Sequence, residues 1–136
     1  VLTFDCDGAL FDWESGFWSP LQPLLVAGSR GDVTRKQALV AFNHYEAEHQ
    51  TATPTLPYPD LLERVHRSLA EHLDLSTSAS LDETFGKSVP SWPAFPDSGD
   101  ALRLLSGHFD LVILSNVDRA GFAASNERLG VEFDAV

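Results

Sequence analysis

Two short polar motifs contain the residues whose types and spacing could do chemistry. In the first, Asp5 and Asp7 flank a single residue directly after the apolar run 1–4. Residues two apart in an extended segment point to the same side, so both carboxylates are expected to face one site. Such a pair indicates either a divalent metal or a division into nucleophile and proton donor, because like charges resist joint ionisation. Gly8 permits a tight turn close to a ligand. A turn with two solvated aspartates is the alternative.

The second motif is Ser115-Asn116, which follows the aliphatic run 111–114. A hydroxyl and an amide can hold an oxyanion or a carboxylate without adding charge. Taken alone, the same pair is also typical of ordinary turn chemistry. The stronger signal is the presence of both motifs, in this order, around a long helical block.

Strands must position both motifs. Residues 1–4 predict a buried strand, and the run 111–114 predicts a strand covered on both faces. Residues 133–136 predict the start of a further strand. An open parallel sheet binds its ligand at the carboxyl ends of its strands, which is where both motifs fall.

The chain between the motifs predicts mainly helices. Residues 12–23 indicate an irregular turn or a helix entry, and residues 51–59 and 88–96 are Pro-rich loops. Three helices are predicted before residue 88: one from a Thr34 cap to about His49, one that begins at Pro59 and carries the apolar stripe Leu62, Val65, Leu69 and Leu73, and one from a capping box over 80–83 to about Gly86. Two more follow. The first runs from Asp97 or Ser98 to Ser106, and the second from an Asp118 cap to Gly130.

Composition restricts the partners and the compartment. Nine Lys and Arg residues against twenty Asp and Glu residues give a net charge of −11, which argues against nucleic acid or an anionic membrane surface as a partner. The single cysteine, Cys6, excludes a disulfide framework and a Cys-rich zinc site. There is no membrane-spanning run and no signal segment, so we predict a cytoplasmic protein that acts on a small molecule. The oligomeric state stays open.

The ends of the sequence lead to one further expectation. The chain contains no methionine and begins with Val1. We therefore expect it to be a piece of a longer protein.

At this point the sequence resembles a known family. Residues 3–12, Thr-Phe-Asp-Cys-Asp-Gly-Ala-Leu-Phe-Asp, are similar to the first motif of the haloacid dehalogenase (HAD) superfamily, and Leu114-Ser115-Asn116 is similar to its second motif. Residues 12–16 and 91–97 resemble the type II 2-haloacid dehalogenase-like branch. The similarity runs over nearly the whole chain.

The resemblance implies a fold and a set of site residues. The fold would be α/β, with a doubly wound, Rossmann-like parallel sheet core formed by residues 1–12 and 93–136, incomplete at its C-terminal end, and an inserted helical cap formed by residues 13–92. Asp5 would be the nucleophile that forms a covalent aspartyl intermediate. Cys6 and Asp7 would line the substrate site through backbone groups, with Ser115 and Asn116 opposite.

Departures from the family pattern leave the reaction open. Dehalogenases of this branch usually carry Tyr where Asp7 stands and Thr where Ala9 stands, whereas superfamily phosphatases carry Asp at the position of Asp7. A departing halide needs no proton and a departing alkoxide does, so Asp7 as general acid favours phosphate-ester hydrolysis. The leading interpretation is a 2-haloacid dehalogenase without an obligatory metal. The alternatives are a small-molecule phosphatase with Mg²⁺ at Asp5 and Asp7, and an inactive member that acts only by binding.

The family also needs a third-motif lysine to balance charge on the nucleophile. Lys36 and Lys87 are the only lysines, and both fall in the predicted cap. We therefore expect the 136-residue chain by itself to be inactive.

Overall fold

The chain folds as an α/β protein, as the sequence predicts. The computed structural model describes all residues, 1 to 136. In chain order the elements are β1 (Leu2–Phe4), α1 (Trp13–Ala27), α2 (Arg35–Ala52), α3 (Tyr58–His72), α4 (Ala79–Gly86), a 3₁₀ turn (Val89–Ser91), α5 (Ser98–Ser106), β2 (Leu111–Ile113) and α6 (Arg119–Asn126). None of the helices combines the length and the apolar character that crossing a bilayer requires.

β1 and β2 form a two-stranded parallel sheet. Leu2 lies opposite Leu111, and Phe4 lies opposite Ile113. The ladder continues one step further, because the Leu114 N–H donates to the Phe4 carbonyl at 2.8 Å. Since the strands run in the same direction about 4.8 Å apart, their carboxyl ends lie side by side.

The predicted strand at 133–136 is present only as a single bridge. Val112 and Ala135 form a parallel bridge on the side of β2 away from β1. The Asp134 N–H donates to the Leu111 carbonyl at 2.8 Å, and the Asp134 carboxylate accepts the Leu111 N–H at 2.7 Å. The end of the chain is therefore tied to β2 without forming a regular strand.

The sheet packs its core on one face. Leu111 and Ile113 are buried, whereas Val112 is half-buried and Leu114 is 74% exposed. The expectation that the run 111–114 is covered on both faces is therefore wrong for this structure, because alternate side chains point to opposite faces and α5 and α6 supply core residues on one of them. The buried cluster consists of Cys6, Leu10, Phe11, Leu102, Leu111, Ile113, Phe122, Leu129 and Val131.

The chain divides into two compact units. One contains Val1–Gly16 and Val89–Val136, and thus the sheet with α5 and α6. The other contains Phe17–Ser88, which is entirely helical and is called the helical unit below.

Two segments of the sheet-containing unit run side by side where the chain leaves the sheet and later returns to it. We call this pair the neck; it consists of residues 8–16 and 89–95. Phe11 and Ala94 form an antiparallel bridge, and the Asp12 N–H donates to the Pro93 carbonyl at 2.8 Å. Backbone pairing thus joins segments that are about eighty residues apart in sequence.

Close packing and one arginine reinforce the neck. A Cβ atom placed on Gly16 would lie 2.4 Å from Cγ of the buried Trp92 indole, so only glycine lets the two segments approach this closely. The Arg128 guanidinium, just beyond α6, donates to the carbonyls of Ser91 and Trp92 at 3.0 and 3.1 Å.

α1 is continuous where the sequence indicates an irregular turn or a helix entry over 12–23. Pro20 and Pro23 both lie inside it, although each lacks the N–H that a helix interior uses. Leu21 and Leu24 are almost fully buried. Burial of this face therefore outweighs the poor local propensity.

The helices of the helical unit follow their sequence signals, with one correction. Thr34 caps α2 in a reciprocal capping box with Gln37, as the predicted cap requires. The helix expected from a capping box over 80–83 begins two residues earlier, because Ser78 accepts the Leu81 N–H as its cap. The Asp82 side chain, in the first turn of this helix, is buried inside the unit.

The two helices of the sheet-containing unit differ in how well their ends were predicted. α5 occupies Ser98–Ser106 with Gly107 as its C-cap, as expected. Asp118 caps α6 by accepting the Gly121 N–H at 3.1 Å, also as expected. The helix ends at Asn126 rather than at Gly130, which has a positive φ of 61° in the turn that follows.

We predict that Gly16→Ala destabilises the protein by about 1–2 kcal/mol, because the new methyl group overpacks against Trp92. The overpacking costs about 2–3 kcal/mol and is offset in part by the gain in helix propensity of about 1 kcal/mol from replacing glycine by alanine inside α1. Denaturant unfolding measures the difference.

Gly31→Ala is the matched control, since nothing lies within 4 Å of a Cβ at that position. We expect it to stay within about 0.5 kcal/mol of the parent chain. Equal stability of the two variants would show that Gly16 is not needed for the packing of the neck.

Candidate active site

The parallel pairing brings the two polar motifs to the same edge of the sheet. Asp5 follows β1 directly, and one further step of the register places it opposite Leu114. Ser115 and Asn116 follow Leu114 directly. Residues more than a hundred positions apart in sequence therefore follow the carboxyl ends of two strands that pair in parallel.

A tight loop follows Asp5 and sets the direction of the next residues. The Cys6 carbonyl accepts the N–H groups of Leu10 and Phe11 at 2.9 and 3.1 Å. The Gly8 N–H donates to the Phe11 carbonyl at 2.9 Å, and Gly8 has a φ of 86°. This conformation is strained for any residue with a side chain, which explains the glycine directly after the acidic pair.

The Asp5 carboxylate lies at the surface in an orientation set by the backbone. Its Oδ1 accepts the Cys6 N–H at 2.7 Å, and the residue as a whole is exposed. A charge-assisted bond of this length limits side-chain rotation. The bond engages one carboxylate oxygen and leaves the other outside it. The arrangement therefore holds a carboxylate in place at the end of a strand while it stays accessible to a ligand.

Both carboxylates lie close enough to the Cys6 thiol to affect its pKa. Burial, together with repulsion from the Asp7 and Asp5 charges, raises the pKa of this thiol to about 12. The side chain is 1% exposed and belongs to the apolar core beneath the loop. The two aspartates thus stand on either side of a buried thiol, with Asp7 half-buried and Asp5 exposed.

The second motif forms a turn into α6. The Ser115 hydroxyl oxygen accepts the Val117 N–H at 3.4 Å, a long hydrogen bond. Ser115 is half-buried and Asn116 is exposed, so both side chains can be reached from solvent. The Asp118 cap fixes the start of α6 directly afterwards. The polar atoms of this motif are therefore held by a turn and a capped helix, beside the loop that carries Asp5.

Two supporting residues were not assigned a role from the sequence. The Asp12 carboxylate accepts the Ser15 N–H at 3.1 Å and the Ser15 hydroxyl at 2.6 Å, which caps the start of α1. The spacing Asp-x-x-Ser is an N-cap signal that could have revealed this. The Ser98 hydroxyl donates to the Leu10 carbonyl at 2.9 Å from the buried start of α5. No local signal indicates that contact, because the partners are 88 residues apart.

The donor atoms present fit a hard divalent cation. Mg²⁺ is commonly held by one or two carboxylates together with waters and substrate phosphate oxygens. Asp5 and Asp7 supply two carboxylates close to each other on one short loop. The chain contains no group of three or more His, Cys, Asp or Glu side chains that could hold a metal ion. A magnesium ion at this site would therefore depend on these two residues, on backbone oxygens, and on water or substrate.

Comparison with known proteins identifies the fold. No protein-family model and no curated protein sequence matches the chain. L-2-haloacid dehalogenase from Xanthobacter autotrophicus has a similar structure, with a TM-score of 0.77, 18% identity, and a match over 98% of this chain and 54% of that one. A defluorinating L-2-haloacid dehalogenase matches with a TM-score of 0.82, 12% identity and coverage of 98% and 58%.

A third solved structure belongs to a Bacillus subtilis protein assigned as a HAD hydrolase and bound to magnesium. It matches with a TM-score of 0.75, 14% identity and coverage of 98% and 61%. This chain therefore spans a little over half the length of the structures it resembles. At these identities the likeness establishes the fold alone, so the expected α/β class is confirmed.

We predict that Cys6 does not react with a thiol reagent such as Ellman's reagent at pH 8 in the folded protein. With a pKa of about 12, only roughly one thiol in ten thousand is ionised at that pH, and the side chain is buried as well. In denaturant, one equivalent reacts.

Leu104→Cys provides the matched control, since that side chain is 71% exposed on α5. This variant should bind one equivalent of reagent in its native state. Rapid reaction of Cys6 in the native parent chain would contradict the buried position of the thiol between the two aspartates.

Proposed function

We propose that this chain belongs to an aspartate-nucleophile hydrolase of the HAD superfamily, in its 2-haloacid dehalogenase-like branch. The observation that carries the proposal is the position of Asp5. It is an exposed carboxylate at the carboxyl end of β1, oriented by the Cys6 N–H, in a fold shared with L-2-haloacid dehalogenases. The strand that pairs with β1 is the one that precedes Ser115.

The proposed substrate is a small 2-haloalkanoic acid. An Asp5 oxygen attacks the carbon that bears the halogen; a C–O bond forms, the carbon–halogen bond breaks, and the halide leaves with the bonding electron pair. Water then attacks the carbonyl carbon of the aspartyl ester. This second step releases the 2-hydroxy acid and a proton and regenerates the Asp5 carboxylate.

The neighbouring polar groups have supporting roles in this proposal. The Cys6 N–H holds one Asp5 oxygen and so leaves the other to attack. Ser115, Asn116 and the backbone around Cys6 and Asp7 hold the carboxylate of the substrate by hydrogen bonds that add no charge. No general acid and no metal is needed for a halide, because it is stable as an anion.

The larger architecture follows the same proposal. We assign the sheet-containing unit to a doubly wound core and the helical unit to a substrate-selecting cap, as the resemblance implies. No lysine lies in the unit that contains Asp5, since Lys36 and Lys87 both belong to the helical unit. This unit therefore offers no lysine to balance the charge of the nucleophile, and we propose that the 136-residue chain alone is inactive.

We predict that turnover in H₂¹⁸O places ¹⁸O in the Asp5 side chain of the protein as its gene encodes it. Water attacks the aspartyl carbonyl, so the regenerated carboxylate keeps one solvent oxygen. After a single turnover of 2-chloropropionate, mass spectrometry of the peptide that contains Asp5 should show a gain of about two mass units. Asp5→Ala should lose at least about a thousandfold in rate.

Asp110→Ala is the matched control, because Asp110 is exposed and precedes β2 at the opposite edge of the sheet. It should retain full activity. Turnover with ¹⁸O only in the product would refute a covalent aspartyl intermediate, whichever leaving group is used.

A second candidate, a magnesium-dependent small-molecule phosphatase, is favoured by Asp7. This half-buried carboxylate stands one residue beyond Cys6 and would protonate a departing alkoxide. Asp5 and Asp7 would hold Mg²⁺, which would neutralise the phosphoryl oxygens when bound. Asp5 would again be the nucleophile, forming an aspartyl phosphate in place of an ester.

We expect Asp7→Asn and a chelator to separate the two candidates. For the dehalogenase, halide release persists in EDTA and falls less than about tenfold in Asp7→Asn, because no proton is transferred to the leaving group. For the phosphatase, the variant loses about a hundredfold or more with a poor leaving group such as an alkyl phosphate, and EDTA abolishes turnover. Release of halide and of phosphate can be assayed on the same preparation. Failure of both substrates would favour a binding protein without this chemistry.

A further inference from the structure

The helical unit buries two ionisable side chains that the proposed chemistry does not use. His66 on α3 is 1% exposed and Asp82 on α4 is 2% exposed. Apart from Cys6, they are the only ionisable side chains in the chain that are fully buried. The His66 Nδ1 lies 2.7 Å from the Asp82 Oδ1, so the imidazole donates and the carboxylate accepts.

The Asp82 carboxylate accepts hydrogen bonds from three side chains. Besides His66, the Thr77 hydroxyl donates to Oδ1 at 2.8 Å from the segment before α4. The Arg67 Nε donates to Oδ2 at 3.0 Å, and the same guanidinium pairs with Glu63 at 3.5 Å. The carboxylate therefore remains charged inside the unit, and Arg67 balances it from the surface.

His66 has no comparable partner for a second proton. The Phe85 ring of α4 packs against the imidazole, with the ring centres 4.8 Å apart. The charged groups that act on it are Asp82 from α4 and Arg67 from its own helix, while Thr77 from the intervening segment is uncharged. Phe85 therefore packs against the imidazole, and Asp82 is the only carboxylate that acts on it.

We propose that the His66–Asp82 pair is a proton-sensitive latch between α3 and α4, which holds while His66 is neutral and loosens α4 when His66 takes up a proton. The neutral ring with its proton on Nδ1 completes the donor set of Asp82. A second proton places a positive charge against Phe85 and beside the Arg67 charge. The proposal is independent of the function assigned to Asp5.

The direction of the pH dependence follows from the two groups together. Burial lowers the pKa of His66, although the Asp82 carboxylate opposes this shift. His66 therefore takes up a proton more readily when α4 is loosened than when α4 is packed against α3. The stabilisation is therefore fully present above the ordinary histidine pKa of about 6.5, and it is lost as the pH falls from there toward the lower folded pKa. The pKa of Asp82 is also lowered: its three donors outweigh the opposing effect of burial, so acid weakens the latch further in the carboxylate range.

The test compares the protein with His66→Asn by hydrogen exchange at pH 7.5 and pH 5.0, after correction for the intrinsic exchange rate. Asn keeps a short N–H donor toward Asp82 and cannot titrate in this range. In the parent protein, amide opening in α4 should increase by up to about tenfold per pH unit below 6.5, as linkage to one proton requires. In His66→Asn the increase should disappear.

His44→Asn is the matched control, because it removes an exposed histidine of α2 that pairs with Glu48 and contacts the Tyr45 ring on its own helix. It should keep the full pH dependence of the parent protein. The same acid response in His66→Asn as in the parent would overturn the proposal.

A second measurement keeps the question decidable if His66→Asn fails to fold. The imidazole of His66 can be titrated by NMR in the parent protein. A midpoint below the ordinary histidine pKa of about 6.5 supports the latch, and a midpoint equal to or above it overturns the latch.

Discussion

The parallel pairing of β1 with β2 is the constraint on which the sheet-containing unit depends. Leu2 and Leu111 are more than a hundred residues apart, and closing so long a loop costs conformational entropy. The cost is offset by burying one apolar face of the sheet against α5 and α6. Because the pairing is parallel, both strands deliver their polar successors to one edge. Without this register, Asp5 and Ser115 would be unrelated surface residues.

The neck shows how a long insertion is tolerated without disturbing that register. Its two segments are tied by the Phe11–Ala94 bridge and by contact of Gly16 with Trp92. Arg128 then fastens the returning segment to the end of α6. These contacts lie within the same unit as the candidate site. The loop that carries Asp5 and Asp7 is therefore anchored at its far end independently of contacts made within the helical unit.

The two units differ in the exposure of the carboxylates discussed above. Asp5 is kept at the surface and is held by a backbone N–H, so its charge remains available to a ligand. Asp82 is taken into the interior, where three donors satisfy it and no ligand can reach it. Burying a charge is tolerated only with such compensation, and it makes stability depend on the protonation of the partner. A carboxylate is thus a candidate site in one unit and a structural group in the other.

Much of the fold could be predicted from local signals: the strand positions, the Thr34 and Asp118 caps, and the apolar stripe of α3 all depend on neighbours in sequence. The signals failed where burial outweighed propensity, as in α1 with its two prolines, and they gave no indication that the Asp82 side chain is buried at the start of α4. For the candidate site, the sequence by itself determined which residue types stand at the ends of the strands. Only the tertiary structure decided that these two strands pair in parallel, that Cys6 is buried, and that His66 bonds to Asp82, because each of these depends on contacts between residues that are distant in the chain.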